Sequence, residues 1–307
     1  MDADLVTRDI EAFSAFARAV APDFGPATAK AAFLVAPDGF RLAEQSARDN
    51  AYMADAAAFD ARRASDQHRA LHRAVSAVLP TVCFAGDPDA PDGLFPNNVF
   101  ATVPGRTIIG RMRHEVRRRE AARTDIRRFF RDVLGHAETD LSIQPHPCEL
   151  TGALVIDRAR GLGFCGLSER CDEAGARLMH DAFGLRATLL FDLAPGEYHA
   201  NVVLAVLAGR AAVACPRGFA DIAVVQAIAD LYAPYSLVCD EAEHAAFVGN
   251  CIALSPDSAW MSATAARALA PLHRALLEDA GLRVASVELD AIEAAGGSLR
   301  CCIGEIY

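Results

Sequence analysis

Residues 202–215 read VVLAVLAGRAAVAC, two apolar runs that meet at a Gly-Arg turn. Short apolar runs on both sides of a glycine-containing turn are typical of a β-hairpin with buried strands. Three similar stretches occur elsewhere, VFATVPGRTIIGRM at 99–112, ALVIDRARGLGFCGL at 153–167 and CIALSPDSAWMS at 251–262. Successive turns lie about 50 residues apart, so the sequence carries an internal repeat.

The same spacing places a fifth hairpin at the C-terminus of the chain. The apolar run AFLVA at 32–36 has no partner nearby in the sequence, and we expect it to pair with residues 300–306. Each interval also holds a helical pattern, over 115–134, 169–183, 218–231 and 264–279. We therefore predict an α/β fold of five ββα-type units, closed into a ring by the two termini.

The N-terminal part of the chain departs from this repeat. Residues 1–30 carry a helical pattern interrupted by prolines, and we expect them to form an appended N-terminal arm. A long alanine-rich helix is predicted over about 51–78, before a strand TVCFA at 81–85. Because the repeat continues to the end of the chain, residues 30–307 are predicted to form one catalytic domain.

Composition limits the location and the partners of the protein. Of its 307 residues, 52% are hydrophobic and 23% are charged, as in an ordinary globular protein. A formal net charge of −10 argues against a nucleic-acid partner. The chain has no apolar run of about 18 residues, and its first residues are acidic where a signal peptide is basic. We expect a cytoplasmic protein without membrane contact.

Cysteine usage argues against metal binding. The nine cysteines are scattered, without a C-x-x-C motif or a Cys/His spacing suited to zinc, so no metal and no cofactor are predicted. In a reducing compartment most of them would be buried small hydrophobic residues. The adjacent pair Cys301 and Cys302 differs, since alternation along a strand would send the two side chains to opposite faces.

Polar residues interrupt the repeat at four strand ends, FPNN (95–98), CELTG (148–152), EYHAN (197–201) and LRCC (299–302). In a ring of such units these ends converge on a central channel. A Gly-Gly pair allows a tight turn before the last strand, which would place Cys301 at the mouth of that strand. His199 could lower the pKa of the thiol or act as a general acid, and Glu149 could hold a developing positive charge. Taken singly, each of these two residues would more often have a structural role than a catalytic one.

The motifs FPNNVFATV, CELTGALVIDR, YHANVVL, FVGNCIALS and GGSLRCCIGE occur in this order, and the chain resembles the guanidine-group-modifying superfamily. This superfamily contains arginine deiminases, amidinotransferases and dimethylarginine hydrolases, and its fold is a five-bladed α/β propeller. The resemblance covers about residues 30–307. The most similar subgroup is the citrulline-utilisation hydrolases, with related FPNN, HTNV and FAGN stretches.

The resemblance implies roles for individual residues. It identifies Cys301, and not Cys302, as the nucleophile, His199 as the general acid and base, and Glu149 as the catalytic carboxylate. Two arginines that bind the α-carboxylate of the substrate in arginine deiminases fall on Arg117 and Arg170. For Arg117 the alternative is a solvated helix face, since further arginines adjoin it.

Two departures from the deiminase pattern affect the expected substrate. Where deiminases carry aspartates that bind the cationic guanidinium, this sequence has Asn98 and Asn201. An amide offers both a donor and an acceptor and suits a neutral ureido group, such as that of citrulline. Asn97 and Asn250 lie in related motifs, and we expect them to shape loops first and to line the channel second. An asparagine at position 98 also resembles the arginine and succinylarginine dihydrolases.

The sequence thus predicts a hydrolase that cleaves a C–N bond of a ureido or guanidino group through a covalent cysteine adduct. Its substrate would be a small molecule, an amino acid similar to citrulline or arginine. Alternatives are an arginine or succinylarginine dihydrolase or deiminase, an amidinotransferase, and a non-catalytic ligand-binding propeller. Substrate length, the number of hydrolytic steps and assembly into a homo-oligomer are left open.

Overall fold

A computed structural model of the chain describes residues 5–53 and 59–307. These residues form five separate sheets, and the same pattern recurs in each of them. Two strands pair in antiparallel fashion, and a third strand lies parallel to one of them. In four sheets the antiparallel pair is a hairpin, and in the remaining sheet it comes from distant parts of the chain. Because a parallel neighbour requires a crossover, a helical segment precedes each third strand. The mixed α/β class is therefore confirmed.

The strands are given sheet by sheet in their spatial order. The first sheet contains β16 (Gly304–Ile306), β2 (Ala31–Val35) and β3 (Thr81–Phe84); the second contains β4 (Phe100–Val103), β5 (Arg106–Ile109) and β6 (Ala137–Asp140). The third contains β1 (Leu5–Thr7), β9 (Ala187–Asp192), β8 (Leu162–Leu167) and β7 (Leu154–Asp157). The fourth contains β10 (Leu204–Leu207), β11 (Ala211–Ala214) and β12 (Ser236–Val238); the fifth contains β13 (Ile252–Ser255), β14 (Ser258–Ser262) and β15 (Arg283–Val287).

The helices of the described residues are mostly short. They are α1 (Ile10–Ala19), α2 (Ala61–Ser76), α3 (Glu115–Ala121), α4 (Thr124–Arg128), α5 (Leu150–Ala153), α6 (Glu173–Phe183), α7 (Ala200–Val203), α8 (Ile222–Leu231), α9 (Glu241–Ala245), α10 (Ala263–Ala268), α11 (Pro271–Asp279) and α12 (Asp290–Glu293). A π-helical turn, Phe129–Val133, follows α4. Single 3₁₀ turns are Ser46–Arg48, Ala51–Met53, Pro96–Asn98, Pro216–Gly218 and Leu299–Cys302.

Capping residues explain where the longer helices begin and end. The side chain of Asp172 accepts a hydrogen bond from the backbone N–H of Gly175 and starts α6. The helix ends at Gly184, whose φ of 63° is in the left-handed region that favours glycine. Helix α2 begins at Ala61 after the cap Asp60, later than the start near 51 that we predicted. Residues 54–58 of that predicted helix lie outside the described residues.

The hairpins predicted from the repeat are all present. In the closing pair, Gly304 lies opposite Phe33 and Ile306 opposite Ala31, in antiparallel register. This sheet joins the first described strand of the repeat to the last residues of the chain, as the spacing predicted. Among the described residues, no helix has the length and apolar character needed to span a membrane.

The N-terminal segment is packed into the third sheet. Strand β1 lies parallel to β9, with Leu5 opposite Ala187. Helix α1 buries Phe13 against the edge of Phe164, with 5.4 Å between the ring centroids. The described part of the predicted arm therefore belongs to the same hydrophobic core as the fourth sheet. The boundary at residue 30 between an arm and a catalytic domain stays a prediction.

One local prediction is wrong. We expected Cys301 and Cys302 to lie on a strand, but both are in the 3₁₀ turn Leu299–Cys302, and β16 begins at Gly304. The backbone N–H of Cys301 donates to the carbonyl of Ser298, and that of Ile303 donates to Arg300. These local hydrogen bonds close a turn, so strand alternation does not decide where the two thiols point.

Polar residues occupy equivalent places in successive units, directly before the first strand of each hairpin. Asn98 ends the 3₁₀ turn before β4, while Glu149 and His199 cap α5 and α7, which lead into β7 and β10. Asn250 lies two residues before β13, and Cys301 precedes β16. The repeat therefore gathers one or two polar side chains from every unit at the same end of the hairpins.

Candidate active site

A cavity lies at this end of the hairpins, next to Cys301. The space between its side chains measures about 290 Å³, including its opening to solvent. The residues that line it are Ser46, Asn50, Met53, Asp92, Phe95, Asn98, Arg117, Arg170, Tyr198, Ala295, Gly296, Gly297 and Cys301. The lining thus combines a thiol, amides, two guanidinium groups and a carboxylate in one small enclosure.

The thiol of Cys301 is buried and contacts two asparagines. The Nδ2 atom of Asn250 lies 3.3 Å from the sulfur, and the Oδ1 atom of Asn201 lies 4.0 Å from it. Burial raises the pKa of this thiol. A hydrogen bond with the backbone of Ser298, the side-chain amide of Asn250 and the charges of Arg300 and Arg117 oppose this increase. The resting thiol is therefore protonated near neutral pH.

Glu149 and His199 form a fully buried pair. The Nε2 atom of His199 lies 2.8 Å from one carboxylate oxygen of Glu149, and the other oxygen accepts the backbone N–H of Arg113 at 3.0 Å. Because a carboxylate accepts, Nε2 carries the proton in this contact and Nδ1 is the free acceptor of the neutral ring. Between His199 and Cys301, both within the described residues, the structure shows no direct hydrogen bond.

The charges around this pair set its protonation. Burial alone would raise the pKa of Glu149, but the charge of Arg170 and the hydrogen bond from His199 lower it to about 2. Burial lowers the pKa of His199. The hydrogen bond to Glu149 and its negative charge oppose this decrease, while the charges of Arg170 and Arg117 add to it. At neutral pH the pair is therefore a carboxylate and a neutral imidazole, ready to take up a proton at Nδ1.

Arg170 links this pair to the wall of the cavity. Its Nη1 atom lies 3.6 Å from Glu149, and its Nε and Nη2 atoms hold the carboxylate of Asp49 at 3.1 and 2.7 Å. The guanidinium also lies over the ring of Tyr198, 4.7 Å from its centroid. Arg170 is thus a fixed cation with one face toward the cavity.

Arg117 lies inside the protein and not on a solvated helix face. Two of its nitrogens pair with the carboxylate of Glu120 at 2.9 and 2.8 Å, and a third contact reaches the carbonyl of Phe95 at 3.1 Å. Asp92 lies 4.0 Å away on the cavity wall. Such a bidentate pair keeps the guanidinium charged and oriented even though it is buried.

The three asparagines expected to bind substrate are placed differently. Asn98 lines the cavity directly, whereas Asn201 is not among its lining residues but contacts the sulfur and borders a second cavity. Asn97 faces Thr151, with which it exchanges two hydrogen bonds at 3.0 and 3.4 Å, and it does not line the cavity. This geometry favours a loop-shaping role for Asn97.

Several buried polar atoms of these residues have no hydrogen-bond partner among the described residues. They are Oδ1 of Asn97, Oδ1 of Asn98, Nδ2 of Asn201 and Nδ1 of His199. Buried polar groups are nearly always satisfied in folded proteins, so the unsatisfied atoms of Asn98, Asn201 and His199 near the buried thiol indicate a place for a polar ligand. A neutral imidazole nitrogen and amide groups together match a planar group rich in N–H and C=O.

Sequence reasoning missed part of the lining. Asp92 is buried and accepts a hydrogen bond from Ser46 at 2.5 Å, and Tyr198 donates to the carbonyl of Gly296. Asn50 also donates to Gly296, at 3.2 Å. Tyr198 could have been noticed because it directly precedes the catalytic candidate His199, but Asp92 lies in an Asp- and Pro-rich loop that carries no distinct signal.

The cavity shows no arrangement for a metal. Among residues 5–53 and 59–307, no group of three or more His, Cys, Asp or Glu side chains could hold a metal ion. That the reaction requires no cofactor stays a prediction.

Comparison with known families decides the affiliation of the chain. Residues 36–307 match the model of the eukaryotic N,N-dimethylarginine dimethylhydrolase family. The chain belongs to this family. The match covers most of the chain, including every residue that we predicted for the site, and it confirms the resemblance and the enzyme class, a hydrolase of C–N bonds other than peptide bonds.

Solved structures of the N,N-dimethylarginine dimethylhydrolase family and its relatives share the fold. The N-terminal domain of ArgZ, an arginine dihydrolase from cyanobacteria, matches with a TM-score of 0.78 and 18% identity over 90% of this chain and 97% of that domain. A variant of that domain was solved covalently bound to a reaction intermediate. A dimethylarginine dimethylaminohydrolase in an adduct with 4-chloro-2-hydroxymethylpyridine matches with a TM-score of 0.69 and 19% identity, over 91% of this chain and all of that one. A comparison with curated protein sequences gives no significant match.

Proposed function

We propose that this family member hydrolyses a C–N bond in the ureido or guanidino group of an amino acid, with Cys301 as the nucleophile. One observation carries the proposal. A buried thiol forms part of a polar cavity whose other walls hold two fixed guanidinium groups and a carboxylate, with unsatisfied amide and imidazole atoms beside it. A ligand with a planar nitrogen-rich end and a zwitterionic end matches these groups.

The charges suggest how an amino acid would lie in the cavity. A guanidinium suits a carboxylate, so Arg170 and Arg117, which both line the cavity, would bind the α-carboxylate of the substrate. Asp92 lines the same cavity and would bind the α-amino group. The side chain of the substrate would then extend toward Asn98 and Cys301.

The first chemical step would be attack of the Cys301 sulfur on the central carbon of the substrate group. A C–S bond forms, the thiol proton is transferred to Nδ1 of His199, and the departing amine leaves with that proton when the C–N bond breaks. Glu149 holds Nε2 of His199, which orients Nδ1, and its negative charge stabilises the imidazolium that forms transiently. The product of this step is a covalent thiouronium or thiocarbamate adduct.

The second step would be hydrolysis of this adduct. Nδ1 of His199, neutral again after protonating the amine, takes a proton from water as the water oxygen attacks the central carbon. The C–S bond then breaks, and the proton returns to the sulfur. Every proton transfer in this scheme uses the Nδ1 atom of His199, which is unpartnered in the structure.

The amides beside the sulfur bear on the choice of substrate. Asn98 and Asn201 are neutral amides, so the C=O and NH₂ groups of a ureido group can form hydrogen bonds with them. A cationic guanidinium group would instead favour carboxylates at these two positions. The alternative is a guanidino substrate, as in an arginine or succinylarginine dihydrolase or a deiminase. The related ArgZ domain, which was solved with a covalent reaction intermediate, is described as an arginine dihydrolase and so supports the guanidino alternative.

The five-bladed propeller is also part of the proposal. A second cavity is lined by strands of four different sheets, through residues 154–156 of β7, 204–206 of β10, 252–253 of β13 and Glu305 of β16. Strand β16 also contacts β4 of the second sheet. Strands that surround one axis in this manner support closure of the five sheets into a ring.

A cytoplasmic location is also part of the proposal. It agrees with the nine cysteines, which are all free thiols.

Product analysis tests the proposal. The purified protein is incubated separately with citrulline, arginine, succinylarginine and methylated arginines, and the ammonia or methylated amine released is counted per ornithine or citrulline formed. Release of ammonia from citrulline alone supports ureido hydrolysis, and two molecules of ammonia per arginine support a dihydrolase. Amidine transfer to an added amine without net hydrolysis would indicate an amidinotransferase. No turnover of any compound, and no trapping of Cys301 by a thiol-alkylating substrate analogue, would instead indicate a ligand-binding propeller.

A further inference from the structure

The side chain of Asn250 is the hub of a hydrogen-bond network around the nucleophile candidate. Its Oδ1 atom accepts the backbone N–H of Arg300 at 3.0 Å, and its Nδ2 atom donates to the carbonyl of Asn201 at 2.8 Å. The same Nδ2 atom lies 3.3 Å from the sulfur of Cys301. One carboxamide therefore joins the turn that carries the thiol to α7, the segment that carries Asn201.

The backbone holds Asn250 in this position. The preceding Gly249 packs so closely against the α7–β10 segment that a Cβ atom there would lie 2.5 Å from the carbonyl oxygen of Val202. The N–H of Asn250 donates to Phe247, whose φ of 63° is in the left-handed region. The side chain is completely buried, and its conformation is thus fixed by a tight turn and three hydrogen bonds.

We propose that Asn250 is a further catalytic residue, whose N–H group stabilises the thiolate of Cys301 and holds the sulfur in line with the substrate carbon. Among the described residues it is the side chain that donates a hydrogen bond to this sulfur, since the contact with Asn201 is to an acceptor oxygen. The imidazole of His199 makes no direct hydrogen bond with the sulfur, so the negative charge needs another donor. A hydrogen bond to an ionised group is stronger than one to a neutral group.

This inference rests on the proposed function, because it needs Cys301 as the nucleophile. It goes beyond the expectation that Asn250 mainly shapes a loop. The carboxamide has both roles at once, since its oxygen fixes the turn and its nitrogen faces the sulfur.

The test is the pH dependence of alkylation at Cys301. Iodoacetamide is applied to the full-length protein from pH 6 to 10, and the rate is read from fragment ions that place the label on Cys301 and not on the adjacent Cys302, so that other thiols do not contribute. In Asn250→Asp the oxygen that binds Arg300 is kept while the donor is replaced by an acceptor. Loss of a hydrogen bond to a charged group corresponds to roughly a tenfold to hundredfold change, so alkylation at neutral pH should slow by at least about tenfold.

Asn250→Ala removes both functions of the side chain, and its comparison with Asn250→Asp separates them. It removes the donor without adding a charge, so its alkylation profile should shift toward higher pH by less than that of Asn250→Asp. Melting temperatures show whether either variant is folded. If both unfold, the side-chain amide resonance of Asn250 in the native protein is followed by NMR, and it should shift with the same midpoint as the alkylation profile.

The outcomes are distinguishable. Folded Asn250 variants with an unchanged alkylation profile, or an amide resonance that does not respond when the thiol ionises, would overturn this inference. Full turnover by Cys301→Ser would instead refute the proposed function, whatever the Asn250 variants show.

Discussion

At the level of single residues, the site depends on charges that are buried together. Glu149 remains ionised in the interior because Arg170 and His199 surround it, and His199 remains neutral because burial and two arginines outweigh one carboxylate. These side chains come from units about 50 residues apart in sequence. Their protonation is therefore a property of the folded chain and could not be assigned from the sequence.

Replacing Glu149 tests this arrangement. In Glu149→Gln the amide no longer provides the negative charge that stabilises an imidazolium, and its NH₂ group can compete for His199. Turnover should fall by roughly 10² or more, the size of a general acid–base contribution, with a smaller change in KM. Steady-state kinetics on the substrate found by product analysis measure both. Unchanged turnover would remove Glu149 from the mechanism.

The same variant should change how stability depends on pH. The pKa of Glu149 is lowered in the folded state, so its carboxylate stabilises the protein above the ordinary carboxyl range, and this contribution is lost as the pH falls from about 4.5 to about 2. Glu149→Gln should lose less stability than the native protein over that interval. Melting temperatures recorded from pH 2 to 7 give the comparison, and parallel curves would contradict the assigned ionisation.

The sequence predicted the identity of most site residues but not their contacts. Cys301, His199 and Glu149 stood out because each interrupts a repeat at an equivalent position. The roles of Asn250 and Asp92 arise only from proximity across the fold, since Asn250 contacts a residue 51 positions away in the chain. Contacts between residues so far apart leave no local pattern in the sequence.

At the level of elements, the short helical turns before the hairpins position the catalytic candidates. Helix α5 carries Gly152, where a Cβ atom would lie 2.6 Å from Oδ1 of Asn98 and 2.8 Å from Cε1 of His199. A glycine is therefore needed at this point for the two side chains to approach each other. The same close approach shows that Asn98 and His199 are neighbours although no hydrogen bond joins them.

Gly152→Ala should disturb the site more than the fold. The added methyl group would displace Asn98 or His199, and turnover should fall by about a hundredfold, since small misplacements in a catalytic site are costly. Gly25→Ala is a matched control, because a Cβ atom there would meet its nearest neighbour at an ordinary 3.6 Å. Steady-state kinetics of both variants measure the loss of turnover, and their melting temperatures show whether the fold is affected. Equal activity of the two variants would contradict the described packing.

The N-terminal elements were not predicted to be part of a sheet. Strand β1 has only three residues, and its partner β9 lies about 180 positions later, so no local pattern reveals the pairing. The Cys301 turn was likewise mistaken for a strand, because its apolar residues fit both structures. Short segments are decided by tertiary contacts.

Phe13→Ala tests whether α1 is integral to the core. The ring is 2% exposed and packs on Phe164, and removal of a buried phenylalanine costs about 3–5 kcal/mol. Denaturant-induced unfolding should show this loss, while Glu11→Gln on the exposed side of the same helix should change stability little. A loss below about 1 kcal/mol would support an arm that is not needed by the rest of the fold.

At the level of the whole molecule, the repeat accounts for most of the architecture. Five units with a constant order of strands and helix bring one strand end from each unit to the same region, and the pairing of β16 with β2 joins the first strand of the repeat to the last residues of the chain. The sequence predicted this because hairpin turns recur at a regular spacing. It could not predict the size of the cavity, which depends on how loops such as residues 46–53 cover it.

The most direct test of the account is to trap the covalent intermediate. The protein is mixed with its substrate, quenched in acid within the first turnovers, and analysed by mass spectrometry in the native form and in Cys302→Ser and Cys301→Ser variants. We predict an adduct on the peptide that contains Cys301 in the native protein and in Cys302→Ser, and neither adduct nor turnover in Cys301→Ser. An adduct that persists in Cys301→Ser, or that disappears in a folded Cys302→Ser variant, would contradict the assignment of the nucleophile.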